Sequence, residues 1–176
     1  MNNRFDLEFS LSHKSIVKLK ENIKKIKNDL ESSKQDILKA LAEYTQKRIK
    51  FYISESVGLG GYPITHNLEN SIQISAIIND MVSVYTNNAY AKFVEFGTGV
   101  TGQNAQEYSP KSKEFNWTYD ENEKGEYGWV YHASDGNFYW TSGMEGHNFM
   151  YNAYLDVQEN YMDIAKRVLR ERGIIK

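Results

Sequence analysis

The sequence contains no cysteine among its 176 residues. This absence excludes disulfide bonds, a thiol nucleophile and thiolate metal ligands. No run reaches the roughly 18 apolar residues that a membrane-spanning helix needs. Residues 1–9 alternate between polar and apolar side chains and do not form a hydrophobic signal segment. We therefore expect a cytoplasmic protein with no membrane partner.

Proline is also scarce, with two residues in the whole chain, and neither proline nor glycine occurs between Leu11 and Val57. Such a stretch favours a long helical segment, which we predict over residues 11–57. The apolar fraction is 40% and the charged fraction 25%, which is typical of a globular protein. The length suits one domain, so we predict a single domain over residues 1–176.

The net charge of −2 gives no global attraction to nucleic acid, and we expect no specific nucleic-acid binding. The charge is nevertheless uneven. Residues 14–50 carry eleven Lys and Arg against five Asp and Glu, and residues 107–126 carry six acids against three Lys. Uneven charge can mark complementary faces in an assembly, but solvated helix and loop surfaces explain it equally well.

The predicted helical segment changes character along its length. Its first part has one narrow apolar stripe at 3-4-3-4 spacing on a lysine-rich background, and we name these residues as a candidate interface: Ile16, Leu19, Ile23, Ile26 and Leu30. Residues 31–33 weaken the pattern and predict a break. A wider stripe then continues to about Ser56. A stripe this thin buries little within its own domain, so it indicates a partner contact or an exposed surface.

The rest of the chain predicts strands followed by a helix. Residues 5–9 and 115–119 alternate as strands do, residues 71–85 predict a hairpin with a turn at Asn79 and Asp80, and residues 127–140 predict another. Residues 58–63 predict a glycine-rich loop, residues 89–96 a short helix or a turn, and residues 100–114 an irregular loop. A C-terminal amphipathic helix is predicted to run from Phe149 to near Gly173. The fold class is therefore α+β, with an antiparallel sheet of hairpins on which the C-terminal helix packs.

The search for catalytic or cofactor chemistry gives weak signals. Gly97-Thr-Gly-Val-Thr-Gly102 has the glycine spacing of a dinucleotide-binding loop, but no βαβ unit surrounds it, and we interpret it as a turn with positive φ. The four histidines form no metal-ligand motif, so we predict no metal site and no cofactor. A pair of carboxylates for hydrolysis could assemble in space, with these candidates: Glu95, Glu126, Asp135 and Glu145.

Aromatic residues are dense between Trp117 and Trp140. Exposed together on short strands, they could stack on sugars or bases, although the acidic balance nearby disfavours a phosphate backbone. We favour a role in covering the hydrophobic core, with a subunit interface as a variant. Trp129 and Trp140 are the candidate interface residues here.

Three segments together resemble the tail-completion or neck protein family of siphophages, which joins head and tail. The central one is Tyr90-Ala-Lys-Phe-Val-Glu-Phe-Gly-Thr-Gly99, which is nearly identical to the family's motif. The first is Pro63-Ile-Thr-His-Asn-Leu-Glu-Asn-Ser-Ile72, where His66-Asn67 replaces the family's Thr-Gly. The third is Asn148-Phe-Met-Tyr-Asn-Ala153, without the family's prolines. The motif positions carried over are Pro63, Leu68, Ser71, Ile72, Tyr90, Phe93, Val94, Glu95, Phe96, Gly97, Gly99, Phe149 and Ala153.

The resemblance implies a non-enzymatic structural subunit of a virion, assembled in the host cytoplasm. It implies a ring, by analogy a hexamer, between a head-closure or connector ring and a tail terminator. A tail terminator or a head-closure protein is a close alternative. Residues 100–140 are longer than usual for the family and predict an aromatic, β-rich insertion. Glu95, placed among apolar neighbours, is predicted to be structural and to need a backbone amide or a lysine as partner.

Two other functions remain open from the sequence. A carbohydrate-binding module would use the surface of Trp129 and Trp140. A cell-wall hydrolase would use a pair of the candidate carboxylates.

Overall fold

The structure is a computed structural model that describes residues 13–56, 66–106, 117, 127–133 and 135–176. Its helices and strands, in chain order, are α1 (His13–Ser56), α2 (His66–Asn70), β1 (Ile72–Ile74), β2 (Val84–Thr86), α3 (Ala91–Phe96), β3 (Gly97–Thr98), α4 (Gly99–Gln106), β4 (Trp129–His132), β5 (Phe138–Thr141), β6 (Gly143–Glu145) and α5 (Phe149–Glu171). The predicted strand over residues 5–9, the loop with Pro63 and the predicted strand over residues 115–119, apart from Trp117, lie outside the described residues.

The long helix α1 is continuous over 44 residues, so the predicted break at residues 31–33 is wrong. The hydroxyls of Ser32 and Ser33 both donate to the carbonyl of Asp29, at 3.0 and 2.6 Å. Bonding back to the preceding turn satisfies the serine side chains without opening the helix. Ser33 is fully buried, so the weak point in the apolar pattern is a packed position of an unbroken helix.

The C-terminal helix α5 packs chiefly along α1. The guanidinium of Arg48 on α1 pairs with Asp156 on α5, and the hydroxyl of Tyr52 donates to the same carboxylate at 2.9 Å. Near the other end of α5, Arg172 pairs with Asp36 and donates to the Ser32 hydroxyl. These polar contacts fix the register of the two helices along their shared length.

The predicted end of the last helix at Gly173 is confirmed. Gly173 has φ of +67°, its N–H donates to the carbonyl of Arg170, and the N–H of Ile174 donates to that of Leu169. This pair of bonds is the Schellman motif, which satisfies the last carbonyls of a helix through a left-handed residue.

One buried hydrophobic cluster forms the core, and it combines residues of the two long helices with residues from the elements between them. Its members come from α1, α2, β1, α3 and α5, and they are Ile49, Ile53, Leu68, Ile72, Ala91, Val94, Phe149 and Ala153. The predicted α+β class with a long N-terminal helix, antiparallel hairpins and a C-terminal helix is confirmed. The start of α5 joins this cluster beside β1, whereas most of α5 lies on α1.

The strands form three small antiparallel pairs. The predicted hairpin over residues 71–85 is confirmed as β1 paired with β2, and Asn79 and Asp80 both have positive φ in its turn. Two consecutive residues with positive φ are typical of the type I′ turn that matches strand twist. The second predicted hairpin is confirmed as β4 paired with β5.

The prediction of an irregular loop over residues 100–114 is wrong for residues 100–106, which belong to helix α4. Its sequence has little apolar periodicity, so tertiary contacts must supply what local propensity does not. The backbone N–H of Thr101 donates to the carbonyl of Ser142 at 3.2 Å, and the two side-chain hydroxyls lie 3.0 Å apart. The β5–β6 connection thus holds the first turn of α4.

Two phenylalanines test where the core lies. Phe149 is fully buried, whereas 73% of Phe138 is exposed. We expect Phe149→Ala to lower the free energy of unfolding by about 3–5 kcal/mol, because it leaves a cavity. Phe138→Ala should change it by about 0.5 kcal/mol or less. Urea unfolding of both variants would measure this, and equal losses would contradict the assignment of the core.

Candidate functional site

The segment from Tyr90 to Gly99 forms α3, β3 and the start of α4. Val94 is buried in the core, and Tyr90 packs against the same cluster from its edge. Phe93 and Phe96 lie on the other side, and the ring of each is 5.5 Å from that of Trp117. The segment is therefore clamped between the core and an aromatic contact.

Glu95 connects this segment to the start of α5. Its carboxylate accepts the backbone N–H of Met150 at 2.8 Å and that of Tyr151 at 3.1 Å. These are the second and third residues of the helix, where an N-cap side chain normally bonds. The residue at the N-cap itself, Asn148, is left-handed and makes no such bond. Glu95 thus caps a helix more than fifty residues away in sequence.

The surroundings of Glu95 shift the pKa of its carboxyl group in two opposite directions. Burial raises the pKa of the carboxyl above its ordinary value, while the amides of Met150, Tyr151 and Phe149 act to lower it. Burial is the larger effect. The predicted backbone-amide partner of Glu95 is present, and the carboxylate is engaged with α5.

Backbone bonds reinforce the joint. The N–H of His147 donates to the carbonyl of Val94 at 2.8 Å, and that of Asn148 to the carbonyl of Glu95 at 3.0 Å. Strand β3 pairs with β6, with Gly97 opposite Glu145. We call residues 91–99 together with residues 143–151 the α3–α5 joint.

All three segments that carry the family resemblance meet around this joint. Leu68 and Ile72 from the first segment share the core with Val94 from the second and Phe149 from the third. The Ser71 hydroxyl donates to the Leu68 carbonyl and lies 2.6 Å from that of Thr86, which ties α2 to β2. The motif residues within the described part of the chain are therefore brought together by packing.

The glycines at 97, 99 and 102 allow close backbone contact. Gly97 and Gly99 have positive φ, as interpreted from the sequence. A Cβ on Gly97 would lie 2.7 Å from the backbone nitrogen of Gly146, and one on Gly102 would lie 2.6 Å from the carbonyl carbon of Gly97. A helix does follow these glycines, but the space above them is filled by the chain itself. In this joint, the glycine spacing that is known from dinucleotide-binding loops instead allows backbone segments of the chain to approach each other.

The candidate interface on α1 is exposed. Between 44% and 54% of Ile16, Ile23, Ile26 and Leu30 is accessible, and Leu19 is half-buried. No described element packs on this part of α1 as α5 does further along. We call residues 16–30 the α1 overhang.

The β4–β5 hairpin is also exposed. Its register places Val130, His132, Phe138 and Trp140 on one face, and Trp129, Tyr131, Tyr139 and Thr141 on the other. The first face is open, with Trp140 64% and Phe138 73% exposed. The expectation that these aromatics cover the core is wrong for Tyr127, Phe138, Tyr139 and Trp140, which are all exposed. For Phe138 and Trp140 the reason is that a two-stranded hairpin buries one face at most. Trp129 and Trp140 lie on opposite faces of the hairpin and do not form a common surface.

A cleft of about 800 Å³ opens beside the α3–α5 joint. Residues 86–89 form one wall and the first turns of α5, including Tyr151 and Tyr154, form another. The lining is mainly apolar, and Lys92 lies among its polar residues. Its chemistry suits an apolar side chain from a partner better than a charged substrate.

The candidate carboxylates do not form a catalytic pair in the described structure. Glu95 is engaged with α5, and Glu145 is exposed on β6. Asp135 accepts bonds from Asn137 and Tyr139, which lower its pKa. Glu126 lies outside the described residues. Among the residues described, no group of three or more histidine and acidic side chains could hold a metal ion.

Comparison with known proteins identifies part of the chain. Residues 17–97 match the family described as "Bacteriophage HK97-gp10, putative tail-component". Over these residues the chain is similar to a family of phage tail components. The match extends from the α1 overhang to Gly97, so it contains the first segment of the resemblance and the central segment without its last two residues, Thr98 and Gly99. Neither the comparison with curated proteins nor that with solved structures gave a significant match.

The resemblance recognised in the sequence is thereby confirmed at the level of a phage tail-component family. Segment Asn148–Ala153 lies beyond the matched residues, and only its packing in the joint connects it to them. None of the helices in the described part of the chain is long and apolar enough to cross a membrane.

Sequence reasoning missed two residues of the joint. Gly143 and Gly146 face the glycines of the central motif across the β3–β6 pair. The available signal was the spacing of Gly143 and Gly146, which lie three residues apart as Gly99 and Gly102 do. It could not show which backbone each glycine approaches.

Gly143 tests the close approach at the joint. It has φ of +105°, and a Cβ there would lie 1.8 Å from the carbonyl oxygen of Thr98. Gly136 has φ of +85° with no atom within 4 Å of its would-be Cβ. We expect Gly136→Ala to cost about 1–2 kcal/mol of stability, and Gly143→Ala clearly more, about 3 kcal/mol or above. Thermal unfolding would measure both, and equal costs would refute the overlap.

The pH dependence of stability tests Glu95. The pKa of Glu95 is higher in the folded protein than in the unfolded chain. The contribution of Glu95 to the free energy of unfolding therefore falls as pH rises from the unfolded pKa to the folded pKa, and it is constant above the folded pKa. We expect the advantage of wild type over Glu95→Gln to be largest near pH 4.5 and smallest, then constant, toward pH 8. The exposed Glu145→Gln serves as the control for removing one nearby carboxylate. An advantage that grows with pH would contradict burial as the dominant effect.

Proposed function

We propose that the chain is a structural subunit of a tailed-phage neck: a tail-completion protein that joins the head connector to the tail by assembling into a ring. The single observation that carries the proposal is the match of residues 17–97 to a family of phage tail components. The motif residues carried over from the resemblance form a packing joint. A motif that is engaged in holding helices together supports a geometric role more than a catalytic one.

The exposed surfaces fit an assembling subunit. The α1 overhang, the open face of the β4–β5 hairpin and the cleft beside the joint lie on different elements. A ring needs two different surfaces on each subunit that match each other. Further contacts to a head-closure or connector ring and to a tail terminator need additional surfaces. The described residues present three such surfaces, which account for the two ring contacts and one contact to a neighbouring ring.

The proposed location is the virion, after assembly in the host cytoplasm, and the proposed stoichiometry is a hexamer. A standard stable interface buries roughly 1,200–2,000 Å². Isolated subunits whose surfaces are small and separate are expected to remain monomeric and to form the ring on contact with a neighbouring virion protein. The motif residues carried over from the family are proposed to fix the fold of the subunit, and no catalytic step is assigned to them.

The alternatives receive less support from the geometry. A carbohydrate-binding surface made by Trp129 and Trp140 together is not formed, because the two rings are on opposite faces of the hairpin. A hydrolase would need two free carboxylates in one cleft, and Glu95, the acid that lines the apolar cleft, is bonded to α5. A terminator or head-closure role uses the same surfaces and differs only in the neighbours.

Inactivation of the gene in the parent phage tests the proposal. We expect electron microscopy of lysates to show filled heads and separate tails that no longer join, and joining to return when the wild-type gene is supplied. Native mass measurement should show a monomer of 20.4 kDa alone and a ring when the neighbouring neck and tail proteins are added. Intact, infectious particles from the inactivated gene, or clearing of peptidoglycan by the purified protein, would overturn the proposal.

A further inference from the structure

The helix α1 is longer than α5, the helix that packs along it. Its 44 residues span about 66 Å, whereas the 23 residues of α5 span about 35 Å. Arg172, just beyond the end of α5, meets Ser32 and Asp36. The short tail after α5 still reaches part of the overhang, since Gly173 and Ile174 line a pocket together with Asn22 and Ile26. The α1 overhang otherwise extends past α5 toward the start of α1.

The apolar side chains of the overhang have the spacing of a coiled-coil seam. Ile16, Leu19, Ile23, Ile26 and Leu30 follow one another at 3-4-3-4 intervals. A helix that packs on a globular domain has a wider stripe, whereas a seam made only of these two positions per heptad fits one facing helix. The occupant that matches the overhang is therefore another α-helix.

The charged residues beside the seam indicate which kind of helix would bind to it. Residues 16–32 carry five Lys against three acids. In the heptad set by the seam, Lys20 and Lys27 both flank it at the e position, where partner side chains approach. A second copy in antiparallel orientation would place lysine against lysine, and in parallel orientation these lysines would meet no acid within the overhang. A helix with Asp and Glu beside its seam would meet them favourably.

We propose that the α1 overhang binds an amphipathic helix of a different protein, with an apolar seam flanked by Asp and Glu. The inference gives the partner chemistry of one surface of the proposed neck subunit, and in that sense it rests on the proposed function. Two heptads bury far less area than a standard interface, so the contact is weak alone and gains strength as one of several in an assembly.

Binding of designed peptides to the full-length protein tests the inference. Two labelled helical peptides of about three heptads have leucine at both seam positions. The acidic probe has glutamate at both flanking positions, and the basic probe has lysine there. We expect fluorescence anisotropy to show at least tenfold tighter binding of the acidic probe, and weaker binding when salt is raised from about 0.05 to 0.5 M.

A matched pair of variants locates the contact. Ile23 is 54% exposed and lies on the seam, whereas Val17 is 43% exposed and lies beside it. We expect Ile23→Asn to weaken binding of the acidic probe about tenfold or more, and Val17→Asn to change it less than about twofold, with circular dichroism unchanged in both.

Three outcomes would overturn the inference: no binding of the acidic probe, equal binding of both probes, or equal effects of the two variants. Concentration-dependent dimers that Ile23→Asn abolishes would overturn it in favour of a second copy. The peptide assay does not depend on phage assembly. Peptide binding with normal head–tail joining after gene inactivation would refute the proposed function alone, and the converse result would refute this inference alone.

Discussion

The helix α5 begins on a carboxylate that belongs to a different part of the chain. The first turn of any helix has N–H groups without intrahelical acceptors, and leaving them unbonded in a buried place is costly. Here Glu95 accepts two of them from Met150 and Tyr151. The positive end of the helix dipole offsets part of the cost of burying the carboxylate, although burial remains the larger effect on the pKa of Glu95. The direction of α5, and with it the packing of α5 along α1, depends on this long-range cap.

The cap also explains why one short motif can be diagnostic of a fold. Val94 supplies apolar contact, Glu95 supplies the cap, and Gly97 lets β3 approach β6 without a side chain between them. Each position makes a different kind of interaction with the segment 143–151, so a change at one is not easily offset at another. A signature built this way records how two distant segments are joined and contains no information about the partner that the subunit meets.

The sequence predicted those elements whose pattern is local. The hairpin at Asn79 and Asp80, the C-terminal helix with its end at Gly173 and the long helical segment all follow from periodicity and turn chemistry. The predicted break at residues 31–33 failed because Ser32 and Ser33 bond to the preceding turn of the helix. The predicted loop failed because the deciding contact is distant: α4 is held by Ser142. The sequence predicted that Glu95 needs a partner such as a backbone amide, but it did not show which amide. Residue spacing does not reveal which helix begins beside Glu95. The opposite faces of Trp129 and Trp140 followed only once the hairpin register was known.

The pairing of Gly97 with Glu145 has a consequence for the chain between them. Both ends of that stretch are fixed beside each other by the joint, so it behaves as a closed loop anchored on one short base. The entropy needed to close such a loop rises only slowly with its length, by roughly 0.6 kcal/mol for each doubling. Residues can thus be added or removed between the two glycine clusters while the core and the helix pair stay the same. Related subunits can differ most in this stretch and still present their remaining surfaces in one common frame.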